Sequence, residues 1–304
     1  MTKNYTAIFS PGGVRAGTQQ RGADIADNSP AGVYVFSDEI TFAVNIALAT
    51  NRPLLVRGAS GCGKTSLARS VAEHMGCAYR ETVITARTQA RDLLWTTDLL
   101  RRLQDAQTGD LSSDWGQYIV PGPIWWAFDS RGASEQYRRA HPNAAPEEVS
   151  ASERTVLLID EIDKADPDVP NSLLRPIGDL AFDVEETGQR VTVQDTPPLV
   201  IVTTNEERDL PPAFLRRCVE LNIPAFTEPQ LVAIGRAHFP GLSQSLLGAA
   251  AQLVASASKL RDRREANPAE YLDTLRACSE LNITTGSEEF KRLSAVVLGT
   301  GTAR

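Results

Sequence analysis

Arg52-Pro-Leu-Leu-Val-Arg-Gly-Ala-Ser-Gly-Cys-Gly-Lys-Thr-Ser66 decides how this chain reads, because a short apolar run turns there into a glycine-rich loop and then a helix-like segment. Gly58, Gly63, Lys64 and Thr65 satisfy G-x-x-x-x-G-K-[ST], the pattern of a phosphate-binding loop. In such a loop the glycines let backbone N–H groups close around phosphate oxygens, so Gly58, Ala59, Ser60, Gly61, Cys62, Gly63, Lys64, Thr65 and Ser66 are the candidate nucleotide contacts. Lys64 would reach the outer phosphates, and Thr65 would offer its hydroxyl to Mg²⁺. The helix beginning near Thr65 would point its positive dipole end at the same anion. A chance glycine turn is the alternative. The strand-like Leu54–Val56 before the loop and the helix-like Ser66–His74 after it supply the context the motif requires.

Val156-Leu-Leu-Ile-Asp-Glu-Ile-Asp163 carries the complementary chemistry. Asp160 and Glu161 leave the C-terminal end of a buried-type strand, where ligands bind in open α/β sheets. Asp160 is the candidate to hold Mg²⁺ through its water shell, and Glu161 to orient or deprotonate an attacking water. Adjacent acids at a buried strand end call for compensation, which a metal supplies; a solvated turn is the alternative. Thr203-Thr-Asn205 ends the next apolar strand, so the Asn205 amide is expected beside the acids, where it could hold the water in line. Its alternative is an Asx turn or a helix cap.

The 304 residues allow a large core in one or two domains. No apolar run approaches the ~18 residues of a membrane span. The N-terminus lacks a basic-then-apolar leader, so a cytoplasmic protein is expected. The formal charge of −7 argues against indiscriminate binding to nucleic acid or anionic membrane. Cys62, Cys77, Cys218 and Cys278 have no metal or disulfide spacing and read as small buried thiols, with Cys62 set apart by its place in the loop. The histidines are isolated.

Residues 1–32, glycine-rich and poor in apolar side chains, read as a mobile arm that could dock on a neighbour. Ser37 begins a capped helix with apolar side chains at Ile40, Val44, Ile46, Ala47 and Leu48. A second strand is expected at Glu81–Ile84, a helix over Asp92–Gln107, and a long excursion at about 108–154. Trp125 and Trp126 within it fit either packing onto the core or a projecting aromatic grip. A helix at Val169–Leu174, a hairpin around Thr187-Gly188, and core strands at Thr155–Asp160, Pro198–Thr204 and Cys218–Ile223 complete residues 33–226. Strands alternating with helices specify an α/β layered domain with a mostly parallel sheet. Residues 227–284 read as a small all-helical domain, with helices at about 228–238, 243–261 and 268–280, and 285–304 as a loose tail.

Leu210-Pro-Pro-Ala-Phe-Leu-Arg-Arg-Cys218 follows within one connection. With it the constellation resembles the AAA+ ATPases, and within them the MoxR group, over roughly residues 34–280. The resemblance rests on the glycine loop, Leu-Ile-Asp-Glu-Ile-Asp-Lys-Ala-Asp166, Thr203-Thr-Asn-Glu-Glu-Arg-Asp-Leu-Pro-Pro-Ala-Phe-Leu-Arg-Arg217 and Tyr118-Ile-Val-Pro-Gly-Pro123. It implies a P-loop core with a small C-terminal helical lid, Mg²⁺-dependent ATP hydrolysis, a homo-oligomeric ring of hexameric type, and a protein partner, including one with a von Willebrand factor A domain. By the resemblance Asn205 matches the sensor that positions water. Arg217, or its neighbour Arg216, matches the finger inserted into the adjacent subunit's site; a surface salt bridge is the alternative for the pair. The hairpin around Gly188 is either a pore-lining element or a cover for the sheet edge. The lid departs from the family: Ala269, in Asn267-Pro-Ala-Glu-Tyr-Leu272, stands where many relatives carry a sensing arginine, with Arg263, Arg264 and Arg276 as nearby replacements.

The leading expectation is a chaperone-like ring ATPase that remodels or activates a partner protein. Three other classes share parts of the pattern. A nucleic-acid or defence motor would use the same site, but no basic stripe accompanies it. A small-molecule kinase gives no reason for the Asn205 and Arg216-Arg217 elements. A nucleotide-gated scaffold would have a broken site, whereas Lys64, Asp160 and Glu161 are all present.

Overall fold

The computed structural model describes residues 5–11, 33–143, 154–194, 196–260 and 267–296. In chain order these form α1 (Asp38–Thr50), β1 (Leu54–Arg57), α2 (Lys64–Met75), β2 (Ala78–Val83), β3 (Trp95–Thr97), α3 (Leu99–Thr108), β4 (Ile119–Pro121), α4 (Pro123–Phe128), α5 (Ser130–Ala140) and β5 (Thr155–Asp160). There follow α6 (Asp168–Asp179), β6 (Ala181–Val184), β7 (Gln189–Thr192), β8 (Leu199–Thr204), α7 (Pro212–Leu215), β9 (Val219–Asn222), α8 (Glu228–His238), α9 (Gln244–Leu260), α10 (Pro268–Glu280) and α11 (Glu288–Val296). They partition into two compact units. One comprises residues 1–9, 42–56 and 71–221; the other comprises 10–41, 57–70 and 222–304.

The first unit is built on a five-stranded sheet in the order β2-β5-β8-β1-β9. β5 and β8 are the unbroken apolar runs of the sequence, and their side chains from Val156 to Ile159 and from Leu199 to Val202 are all buried. Such two-sided burial is what a central parallel strand between helical layers requires. β2 pairs parallel with β5 from Ala78↔Thr155 to Val83↔Asp160, and β5 with β8 from Val156↔Leu199 to Ile159↔Val202. At the other side, Val219 N–H donates to Pro53 C=O (2.8 Å) and Ile223 N–H to Arg57 C=O (2.8 Å), so β9 runs in the direction of β1. All carboxyl ends therefore share one edge, and all amino ends the other.

The reading of 92–107 as one helix is corrected. Ala90–Leu93 is a 3-10 turn, β3 pairs Trp95 with Pro121, and only then does Asp98 start α3 by accepting a hydrogen bond from Arg101 N–H (2.9 Å). An N-cap aspartate and a strand partner outweigh the helical spacing of the leucines. The 108–154 excursion is largely folded, for β4, α4 and α5 occupy it, and residues 144–153 lie outside the described set. Trp125 is fully buried and Trp126 is 5% exposed, both in the main apolar cluster, so packing and not projection is what these rings do. Trp125 meets Phe182 edge-on (5.9 Å) and Trp95 stacks on the same ring (5.8 Å). The hairpin forms as read, with Phe182 opposite Val191. Its Glu186 accepts hydrogen bonds from Trp95 Nε1 and Thr97 Oγ1 (2.8 Å each), which binds the turn to β3.

Ser37 caps α1 through Ile40 N–H (3.2 Å), as expected. Of the N-terminal arm, residues 5–11 are described. Phe9 is buried, and the Asn45 amide brackets it by accepting from Phe9 N–H (2.7 Å) and donating to Phe9 C=O (2.7 Å). That exchange saturates one backbone residue as a strand partner would.

In the second unit α8, α9 and α10 fall where the sequence places helices and share a core of Leu231, Leu247, Val254, Tyr271 and Leu275. Tyr271 Oη donates to Leu247 C=O (3.1 Å), and burial pushes its phenol up to about 12. Part of the supposedly loose tail is the helix α11, whose Phe290 and Leu293 pack with Leu246 and Cys278. Residues 297–304 lie outside the described set. Among the described residues no helix is long and apolar enough to cross a membrane.

Candidate functional site

The glycine loop leaves β1 and enters α2 through Leu67 N–H donating to Gly63 C=O (2.9 Å). Gly58, Gly61 and Gly63 all take positive φ, at 152°, 79° and 94°. A Cβ on Gly58 would stand 2.9 Å from Cys62 Sγ and 3.0 Å from Ile223 C=O, so the glycine is required by both angle and space. Lys64 is buried, and its ammonium donates to the loop's own carbonyls at Gly58 (2.7 Å) and Ala59 (3.0 Å). The loop is thus formed with its cation folded over it. Tyr34 lies against Gly63, with its ring 3.4 Å from where a Cβ would be. Burial, and secondarily the Cys62 thiol, push the Tyr34 phenol well above its ordinary range.

Ala269, at the position where the resemblance implies an arginine, stands on this loop. Asn267 caps α10 by accepting from Glu270 N–H (2.8 Å), and Ala269 N–H donates to Gly61 C=O (3.3 Å). Ala269 therefore meets the loop with a methyl group and a backbone donor. Arg276 sits on α10 with Nη1 3.5 Å from Asp273, while Arg263 and Arg264 lie outside the described residues.

Asp160, Glu161 and Asn205 converge in the first unit, at the carboxyl ends of β5 and β8. Thr203, fully buried, is their joint: its hydroxyl donates to Asp160 Oδ1 and accepts from Glu161 N–H (3.0 Å). Glu161 takes a left-handed conformation (φ 59°), which turns the chain sharply after the strand. Asn205 Nδ2 then donates to Glu161 Oε1 at 3.2 Å. Lys164 Nζ stands 3.8 Å from Glu161 Oε2 and 3.6 Å from Glu207 Oε1. Asp163, 2% exposed, accepts from the backbone N–H groups of Asn205 (3.2 Å) and Glu207 (3.0 Å) through Oδ2, while its Oδ1 is buried without a hydrogen-bond partner. That carboxylate fixes the backbone from which the Asn205 amide projects. Sequence reasoning assigned no role to Thr203 or Asp163. The signal for the first is a hydroxyl at the end of a fully apolar strand, which must find a partner when buried.

Arg216 and Arg217 are not part of this group. They are exposed, and they follow α7 immediately before β9, at the amino edge of the sheet. Val219 pairs with Pro53 there, so roughly 13 Å of strand, at ~3.3 Å per residue, separates them from the carboxyl edge.

Residues 53–218, more than half the chain, match the family model of the AAA domain, dynein-related subfamily. No curated protein matches the chain. Among solved structures, the RuvB Holliday junction branch migration motor of Thermotoga maritima is 16% identical, covering 85% of this chain and 74% of that one at a TM-score of 0.42. A presumptive ATPase of Cytophaga hutchinsonii is 14% identical, covering 84% of this chain and 78% of that one at a TM-score of 0.43. The family match contains the glycine loop, the paired acids, Asn205 and both arginines, and by it the chain belongs to the AAA domain family, in the dynein-related subfamily.

Proposed function

We propose that the protein is a Mg²⁺-dependent ATPase of MoxR type that assembles as a ring, hexameric by the resemblance, and spends each turnover on remodelling or activating a partner protein, including one with a von Willebrand factor A domain. The observation that carries the catalytic reading is the hydrogen-bonded set Asp160–Thr203–Glu161–Asn205, in which a carboxylate and an amide are held together at a sheet edge. The Thr65 hydroxyl and the Asp160 carboxylate are the hard oxygen donors a divalent cation takes, so the donor set fits Mg²⁺. When bound, that ion would neutralise charge on the outer phosphates.

In this reading the backbone N–H groups from Gly58 to Ser66 hold the phosphates, and Lys64 moves its ammonium from the Gly58 and Ala59 carbonyls onto them. Glu161 accepts the proton of the attacking water, and Asn205 orients carboxylate and water together. Arg217, with Arg216 as the second choice, acts on a neighbouring copy: its place at the amino edge supports action away from its own subunit's acids, since every group proposed for water activation leaves the other edge. An always-charged guanidinium suits charge developing on the transferred phosphoryl. The acidic balance of the chain supports a protein substrate over direct contact with nucleic acid.

The test separates grip from chemistry. Lys64→Ala should lose nucleotide binding, whereas Glu161→Gln should bind ATP and lose at least ~100-fold in turnover. Wild-type turnover by Glu161→Gln, in a preparation free of contaminating ATPase, would remove Glu161 from the catalytic role.

A further inference from the structure

Arg52 precedes β1 and lies 164 positions before Arg216, yet it makes three hydrogen bonds to the turn that carries the arginine pair. Its Nη2 donates to the carbonyls of Arg216 (2.8 Å) and Cys218 (2.6 Å), and its Nε to that of Arg217 (3.1 Å). One planar guanidinium thus holds three consecutive backbone acceptors. These carbonyls follow the four-residue α7, where the last C=O groups of a helix lack intrahelical partners and carry partial negative charge. Phe214 and Cys218 anchor the turn from the buried side (1% and 4% exposed), and Pro211 and Pro212 restrict its entry. Arg216 and Arg217 themselves are exposed.

We propose that Arg52 is a positioning residue for catalysis between subunits: its guanidinium fixes the backbone at 216–218 so that Arg217 is presented to the nucleotide of a neighbouring copy. The inference rests on the proposed function and deepens it, by naming what holds the finger. Two physical points separate this role from general stability. Two of the three hydrogen bonds, to the Arg216 and Arg217 carbonyls, are exposed and the one to Cys218 is part-buried, so water can replace most of what Arg52 supplies and the fold should survive its loss. A finger displaced by about 1 Å, by contrast, can lose up to ~100-fold in rate. The fork geometry also matters, because a lysine at 52 would carry the charge but not the planar set of donors.

The test uses full-length protein and subunit mixing. Arg52→Ala alone should lower kcat by roughly 10- to 100-fold with KM for ATP changed less than about twofold, while Arg52→Lys falls between it and wild type. The Arg52→Ala protein keeps an intact ATP site and presents a poor finger; Lys64→Ala protein has a disabled site and a well-presented finger. Mixed assemblies of the two should recover activity, as should assemblies of Arg217→Ala with Lys64→Ala. Recovery by the Arg217→Ala mixture but not by the Arg52→Ala mixture would show that Arg52 acts on its own subunit and overturn the inference while leaving the finger intact. Wild-type kcat in Arg52→Ala would overturn it directly. Failure of both mixtures, in assemblies shown to be mixed, would remove the trans finger, and the role of Arg52 would fall with it. Circular dichroism melts of Arg52→Ala within a few degrees of wild type accompany the expected result; a variant that does not fold leaves Arg52→Lys to decide by the same mixing criterion.

Discussion

The two edges of the sheet in the first unit hold their candidate functional side chains in opposite ways. At the carboxyl edge the side chains hold one another: Thr203 joins Asp160 to the Glu161 backbone, Asn205 reaches Glu161, and Asp163 locks the segment behind them. At the amino edge the side chains of Arg216 and Arg217 are left outward, and the grip is on their backbone, through Arg52. In the proposed mechanism, groups that act together within one subunit are fixed through their functional atoms. An arginine proposed to act on another molecule is fixed from behind.

That contrast can be broken by mixing. Asn205→Ala should lower kcat by about 10- to 1000-fold with little change in ATP affinity, as for a group that acts in the transition state. Mixed with Lys64→Ala it should show no gain in activity, because neither protein then has a whole site; recovery there would erase the distinction between the edges. Asp163→Ala sharpens the same edge at a smaller scale. It removes the acceptor of two backbone N–H groups, so a stability loss of about 1–3 kcal/mol is expected by denaturant titration. A roughly tenfold fall in kcat should accompany it, and Asp163→Asn should restore part of both. Unchanged stability in Asp163→Ala would show that the Asn205 segment does not depend on it.

The smallest effect lies in the helical unit. Burial, with a lesser contribution from Arg276, lowers His238 from its ordinary 6.5, against a hydrogen bond with the Val33 backbone that works the other way. A histidine whose folded value is depressed gives stability that is present above about pH 6.5 and is lost as pH falls toward the folded value. Melting of wild type should therefore drop slightly from pH 7 to pH 5, and His238→Gln should flatten that part of the profile. An identical slope in the variant would assign the pH dependence to other groups.

Much of the carboxyl edge was legible in the sequence, because its chemistry is tied to residue types at short spacing. Adjacent acids after an unbroken apolar strand are a combination that packing alone seldom requires, as are the glycines, lysine and hydroxyl of the loop in the second unit. Strands β5 and β8 were legible for the same reason, since burial on both faces leaves no polar alternation. The amino edge was legible only as a resemblance: Arg52 bonds to carbonyls, and a carbonyl looks alike at every residue. The segment 92–107 misled for a different reason. Leu99, Leu100 and Leu103 suggest an apolar helix face, yet all three are exposed, while Arg102 lies inward over the Trp115 ring at 3.7 Å. Periodicity reports which residues share a face, and a cation stacked on an aromatic ring can be the face that packs.

The most direct measurement is specific ATPase activity against protein concentration, with mass determined in the same samples, for wild type and Arg217→Ala. The account predicts that wild-type activity per subunit rises as assemblies form, and that Arg217→Ala assembles and binds ATP but stays low throughout. Constant specific activity from a protein shown to remain monomeric would contradict it.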